Sequence, residues 1–167
     1  MLELGALQDK IKDLFETEVF GDKSLFKTPQ GDMVTITGFS QNLPVKTDDG
    51  EDARDDESYK DLAPYFILAI QNGDDDDRNE AQTIHWEFVS VIYDNDKNNQ
   101  GYKDSLHIVQ TVINYLRKHR MLCGTAYIES DSPISFELPE GDTWPYFVSD
   151  ITFETKIPSE GVEDVNI

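Results

Sequence analysis

"TIHWEFVSVIYD", residues 83–94, is the stretch whose reading decides the fold. Ile84, Trp86, Phe88 and Ile92 fall on one face of an extended chain, and His85, Glu87, Val89, Val91 and Tyr93 on the other. A period of two predicts a strand with one face in the core. Just upstream, "PYFILAIQ" (64–71) is almost wholly apolar. A strand of that kind is covered on both faces and belongs in the middle of a sheet. The link "NGDDDDRNE" (72–80) reads as a hairpin-like connection, too long for a two-residue turn.

Downstream, "KDSLHIVQTVINYLRKHR" (103–120) changes to helical spacing. Asp104 or Ser105 suits the N-cap. Leu106, Val109, Val112 or Ile113, and Leu116 form the expected buried stripe. Arg117, Lys118 and Arg120 sit where positive charge favours a helix C-terminus, with Gly124 as a late stop. Strands are expected at 125–130, 134–138 and 146–157, punctuated by Pro133, Pro139, Gly141 and Pro145.

Near the start, Leu4, Leu7, Ile11, Leu14 and Phe15 recur at three- and four-residue spacing, which predicts an amphipathic helix closed by Gly21. "MVTITGF" (33–39) predicts a short strand. Residues 40–62 are poor in apolar side chains and rich in acids, and read as a long mobile loop. The tail after Pro158 reads as frayed. The whole chain, 1–167, is expected to form a single domain. The order α-β-β-β-α-β-β-β implies an α+β fold: a mixed, mainly antiparallel sheet with two helices packed on one face.

The formal charge is −20. Such a chain repels phosphates, which argues against ordinary nucleic-acid binding. The charge is unevenly spread. Residues 46–61 carry eight acids against three bases, and 74–80 carry five against one. The helix 103–120 is basic by contrast. The N-terminal segment is charged throughout and lacks a signal-peptide core, and no window approaches the ~18 apolar residues of a membrane span. A soluble protein made in the cytosol is expected. Cys123 is the only cysteine, so an intrachain disulfide or a thiolate zinc site is ruled out.

No chemical motif stands out. "DNDKNNQGYKDS" (94–105) places Asp94, Asp96 and Asn98 at EF-hand spacing. It has Asn99 where that loop needs Gly and Ser105 where it needs Glu. His85, His107 and His119 lack metal-ligand spacing. No phosphate loop or nucleophile elbow is present, and Cys123 near His119 reads as a small buried residue. Two acids lie inside strands, Glu87 beside Trp86 and Asp150 in the last strand. Both are expected on a wet sheet face. Neither an enzyme nor a cofactor is indicated.

The arrangement over residues 64–158 resembles the tail terminator, or tail completion, proteins of long-tailed bacteriophages. It is carried by the strand pair "YFILAIQ" and "IHWEFVSVIYD", the helix "KDSLHIVQTVINYLRKHR" and the closing segment "DTWPYFVSDITFETKIP". The resemblance implies an α/β sheet protein that forms a six-membered ring. Such a ring caps the tail tube, meets the head–tail connector proteins, and lets DNA pass without specific binding. It implies a virion location in the tail or neck, and no membrane. Under it, Lys103, Arg117, Lys118, Arg120, Trp144 and Tyr146 are expected at a subunit or layer contact. Asp48, Asp49, Glu51, Asp52, Asp74, Asp75, Asp76 and Asp77 are expected in the lumen or in acidic loops. A head–tail connector or stopper subunit is the nearest alternative. An acidic DNA-mimic inhibitor or immunity-type protein is the alternative of another class.

Overall fold

The computed structural model describes residues 3–44, 61–76 and 81–158. Helix α1 spans Leu4–Leu14, where the Glu3 carboxylate caps the free end by accepting from the Gly5 N–H at 3.0 Å. Leu7 and Ile11 repeat one turn apart and are fully buried. The chain then widens into a π-helical turn, Phe15–Phe20, closed by a Gly21 N–H to Glu16 C=O bond of 3.1 Å. The widening has a packing cause. In a regular α-helix, residues five apart point about 140° away from each other. The π turn brings Phe15 and Phe20 to the same side, and both pack on Phe66 and Phe88 at ring separations of 5.6–6.1 Å. Gly21 ends the element in the left-handed region, φ +57°.

A small antiparallel ribbon follows, β1 (Phe26–Lys27) with β2 (Met33–Val34). The expected strand 33–39 is therefore split, because β2 pairs with β1 while β3 (Thr37–Ser40) joins the main sheet. Among the described residues that sheet has seven strands: β3, β4 (Tyr65–Asp76), β5 (Ala81–Tyr93), β6 (Met121–Leu122), β7 (Ala126–Tyr127), β8 (Ser135–Glu137) and β9 (Tyr146–Pro158). The spatial order is β3-β4-β5-β9-β7-β6, with β8 also on β9. Only β3 and β4 run parallel. The expected α+β architecture, a mixed and mainly antiparallel sheet with two helices on one face, is the one observed.

Strand β5 buries Ile84, Trp86, Phe88 and Ile92 on one face, as its alternation predicts. The same face holds Ile151 and Phe153 of β9 and Phe66 and Leu68 of β4, under α1 and helix α2 (Tyr102–Lys118). Trp86 stacks on Phe153 at 6.2 Å, and its indole N–H donates to the Thr155 hydroxyl at 2.8 Å. A smaller apolar cluster, Ala63, Tyr65 and Val91, covers one end of the opposite face.

Three local expectations are corrected. The acids 74–76 are not in a loop: β4 continues through them, opposite Thr83, Gln82 and Ala81, after a bulge between Ile70 and Asn72. Backbone pairing with the long β5 overrides the poor strand propensity of aspartate. Helix α2 begins at Tyr102 with Gly101 as its cap, not at Asp104 or Ser105. A side chain at Gly101 would run into Phe147 and Asp94, so glycine is needed there. The buried face of α2 runs through Ser105, Ile108, Val109, Val112 and Leu116, which leaves Leu106 38 % exposed. Finally, the expected strand 125–130 shrinks to two residues, paired with the short β6 that follows α2. Residues 45–60 and the tail after 158 lie outside the described residues.

Candidate functional site

The residues expected at a contact surface do not converge. Lys103 is in the first turn of α2 and Lys118 at its last residue, which separates them by roughly 20 Å along the axis. Arg117 is half-buried and donates from Nη2 to the Ser132 carbonyl at 3.1 Å. The Arg120 carbonyl accepts from the Ile128 N–H at 2.8 Å. The Arg117 side chain is thus tied into its own fold and Arg120 is held through its backbone, with one guanidinium nitrogen of each buried and without a hydrogen-bond partner among the described residues, while Lys118 is exposed. Trp144 and Tyr146 stand at the other end of the sheet. Trp144 is exposed, and its indole N–H donates to the Asp96 carbonyl at 3.0 Å. Tyr146 packs edge-on against Tyr93 at 5.3 Å.

Among the acids, Asp74 and Asp75 are exposed in β4, and Asp76 is its last residue. Asp48, Asp49, Glu51, Asp52 and Asp77 lie outside the described residues. The loop after β5 uses its acids to build turns. Asp94 Oδ1 accepts from the Asp96 N–H at 3.0 Å, and Asp96 Oδ1 from the Asn98 N–H at 3.2 Å. Asn98 Oδ1 then accepts from the Gln100 N–H at 3.2 Å. Lys27 adds an ion pair to Asp94 at 3.3 Å. Among the described residues, no three His, Cys, Asp or Glu side chains are disposed to hold a metal ion. Burial pushes the Cys123 thiol up, the opposite of activation.

The structure does bring together the two in-strand acids. Asp150 lies opposite Val89, and Glu87 opposite Thr152, so the two are diagonal neighbours on the face away from the helices. Glu137 of β8 lies directly across from Asp150 on its other side. Both in-strand acids were expected on a wet face. The face is correct, but both are half-buried and joined by a hydrogen bond. Burial, then the bond and charge of Glu87, then the charge of Glu137, push the Asp150 carboxyl from its ordinary 3.8 up to about 7. Its Oδ1 is buried with no partner among the described residues. Gln71, Ser135 and Thr152 complete a groove of about 280 Å³ around the pair. In this setting the Asp150 carboxyl keeps its proton close to neutral pH. Neither strand position announces the pairing; only the β5–β9 register does.

A second hollow, of about 340 Å³, opens where β8 leaves β9. Tyr102, Leu138, Pro139 and Phe147 form apolar walls, and Asp142 stands in the lining. The Ser105 hydroxyl, on a residue 1 % exposed, reaches it without a hydrogen-bond partner. Ser105 is not the cap: it lies inside the helix, on the buried face with Ile108, Val109, Val112 and Leu116.

What the geometry defines is an α+β protein built on one large sheet and a small ribbon, with an acidic outer face and a hollow at a strand edge. No protein-family model matches the chain, and no curated protein matches its sequence. None of its described helices is long and apolar enough to cross a membrane.

Proposed function

We propose that this chain is a non-enzymatic structural subunit of a phage virion, a tail terminator-like protein that closes into a ring on the tail tube and joins it to the connector side. The observation that carries the reading is the spread of exposed apolar side chains on a chain of net charge −20. Leu25, Met33 and Val34 cluster on the β1–β2 ribbon; Tyr102 and Leu106 lie on α2, Phe136 on β8 and Trp144 near the start of β9. Separate, unlike patches suit a heterologous contact, in which one surface meets a different surface of the next copy, and such contacts close into rings. Acids such as Asp74 and Asp75, exposed along β4, suit a conduit that DNA passes without sticking. A connector or stopper subunit would use the same surfaces in the neighbouring layer.

The charge also favours a second reading, an acidic protein that binds a basic partner one to one in place of DNA. Native mass spectrometry with negative-stain microscopy separates the two. Rings of about six copies, alone or with tube subunits, are the expected result. A chain that stays monomeric with tube subunits present rejects the ring and favours the mimic.

A further inference from the structure

We propose that the hollow at the free edge of β9 binds an extended peptide segment of a partner protein, one that carries an apolar side chain with a basic residue beside it. The proposal does not depend on ring formation.

The backbone supplies the first argument. The Tyr146 N–H donates to the Thr143 carbonyl at 3.0 Å, and the Tyr146 carbonyl accepts from the Thr143 hydroxyl. Tyr146 therefore turns both backbone groups away from β5. In an antiparallel ladder that direction repeats at every second residue, so Val148, Asp150 and Thr152 do the same. Asp150 and Thr152 meet Glu137 and Ser135 of β8. One step further, the residue level with Val148 is Pro139, which has no N–H to give. The Val148 N–H and C=O thus face the hollow as the next rung of a ladder that β8 has left. A strand added there by a partner would pair with both groups.

The side chains supply the second argument. The walls of Tyr102, Leu138, Pro139 and Phe147 suit an apolar side chain, and a hollow of about 340 Å³ has room for it together with the backbone that carries it. The buried Ser105 hydroxyl lacks a partner that an incoming peptide group can provide. The rim selects for charge. Asp142 is held in place by the Asn99 amide at 3.2 Å and the Trp144 N–H at 3.1 Å. Among the described residues that line the hollow, Asp142 is the one that carries a charge. A basic residue flanking the apolar one is favoured there, and an acidic one is repelled.

The test is amide NMR on the full chain, titrated with acetyl-Lys-Val-Lys-amide. The expected result is saturable shifts confined to Val148, Ser105 and Asp142 and their neighbours. The Glu-Val-Glu counterpart should give none. A probe with N-methylvaline at the centre lacks the central N–H and should bind roughly tenfold more weakly, as should Asp142→Asn with the original probe. The proposal is overturned if the shifts spread over the acidic surface at large, if no probe shifts Val148 at millimolar concentration, or if N-methylation leaves binding unchanged. Peptide uptake by a chain that never forms rings keeps this inference and removes the ring. Rings that ignore the peptide do the reverse.

Discussion

Replacing Asp150 with asparagine should remove a pH dependence from the stability of this protein. In the folded chain the Asp150 carboxyl holds its proton up to about pH 7, whereas its ordinary value is 3.8. Below pH 3.8 both states carry the proton and the group contributes no difference. Between the two values the folded state binds more protons than the unfolded one, so stability falls as pH rises. Above about 7 both states have lost it, and the full penalty of a half-buried carboxylate beside Glu87 and Glu137 is present. A gap of that width corresponds to at most about 4 kcal/mol, and solvent screening at the open side of the groove reduces it to about 1–2 kcal/mol. Urea unfolding followed by the fluorescence of buried Trp86 measures it. The stability of Asp150→Asn relative to the parent should rise by about 1–2 kcal/mol from pH 4 to pH 8. Taking the difference between the two chains cancels the contributions of groups that do not interact with Asp150. Glu87→Gln should move the window to lower pH by removing a neighbouring negative charge. Stability curves for the parent and Asp150→Asn that stay parallel across this range would refute the raised Asp150 carboxyl.

Gly38→Ala should lower stability by about 1–3 kcal/mol in a thermal melt, because the added methyl meets the Phe66 ring and the Lys12 side chain. Trp86→Phe should lose about 1–3 kcal/mol by leaving the buried Thr155 hydroxyl unpaired, and adding Thr155→Val should recover part of it in the double variant. Arg117→Ala should destabilise by about 1–2 kcal/mol through loss of its bond to the Ser132 carbonyl. Lys118→Ala should stay within about 0.5 kcal/mol of the parent in the same urea assay.

The elements with strong periodicity were readable in advance. The alternation of residues 83–94 identified β5 and its core face, and the spacing of Leu7 and Ile11 identified α1. What escaped was set by neighbours in space. Asp74 to Asp76 lie in a strand because β5 offers them backbone partners, which no local preference signals. Ile108 is buried and Leu106 exposed because the face of α2 that meets the sheet runs through Ser105, Ile108, Val109, Val112 and Leu116, and apolar spacing alone fits either side chain. The π turn exists so that two phenylalanines five apart can reach the same pair of rings. Glu87 and Asp150 were each visible as acids within strands, but their meeting depends on a register between segments some sixty residues apart. Ser105 looked like a cap by type and position, and only its burial beside a strand edge marks it as something else.

Because β3 and β4 run parallel, with Thr37 level with Tyr65 and Ser40 with Leu68, the chain between them must return to the end of the sheet where β3 begins. Such a return needs about a dozen residues. Gln41 to Pro64 supplies about twice that. The near end is pinned: the Gln41 side-chain amide both donates to the Ile70 carbonyl at 3.2 Å and accepts its N–H at 2.9 Å, like an additional peptide group. Roughly half of this connector is therefore dispensable for topology, and deleting about ten of its central residues should leave the strands on either side in place. Its extra length and its charge are free to have been selected for some purpose other than folding.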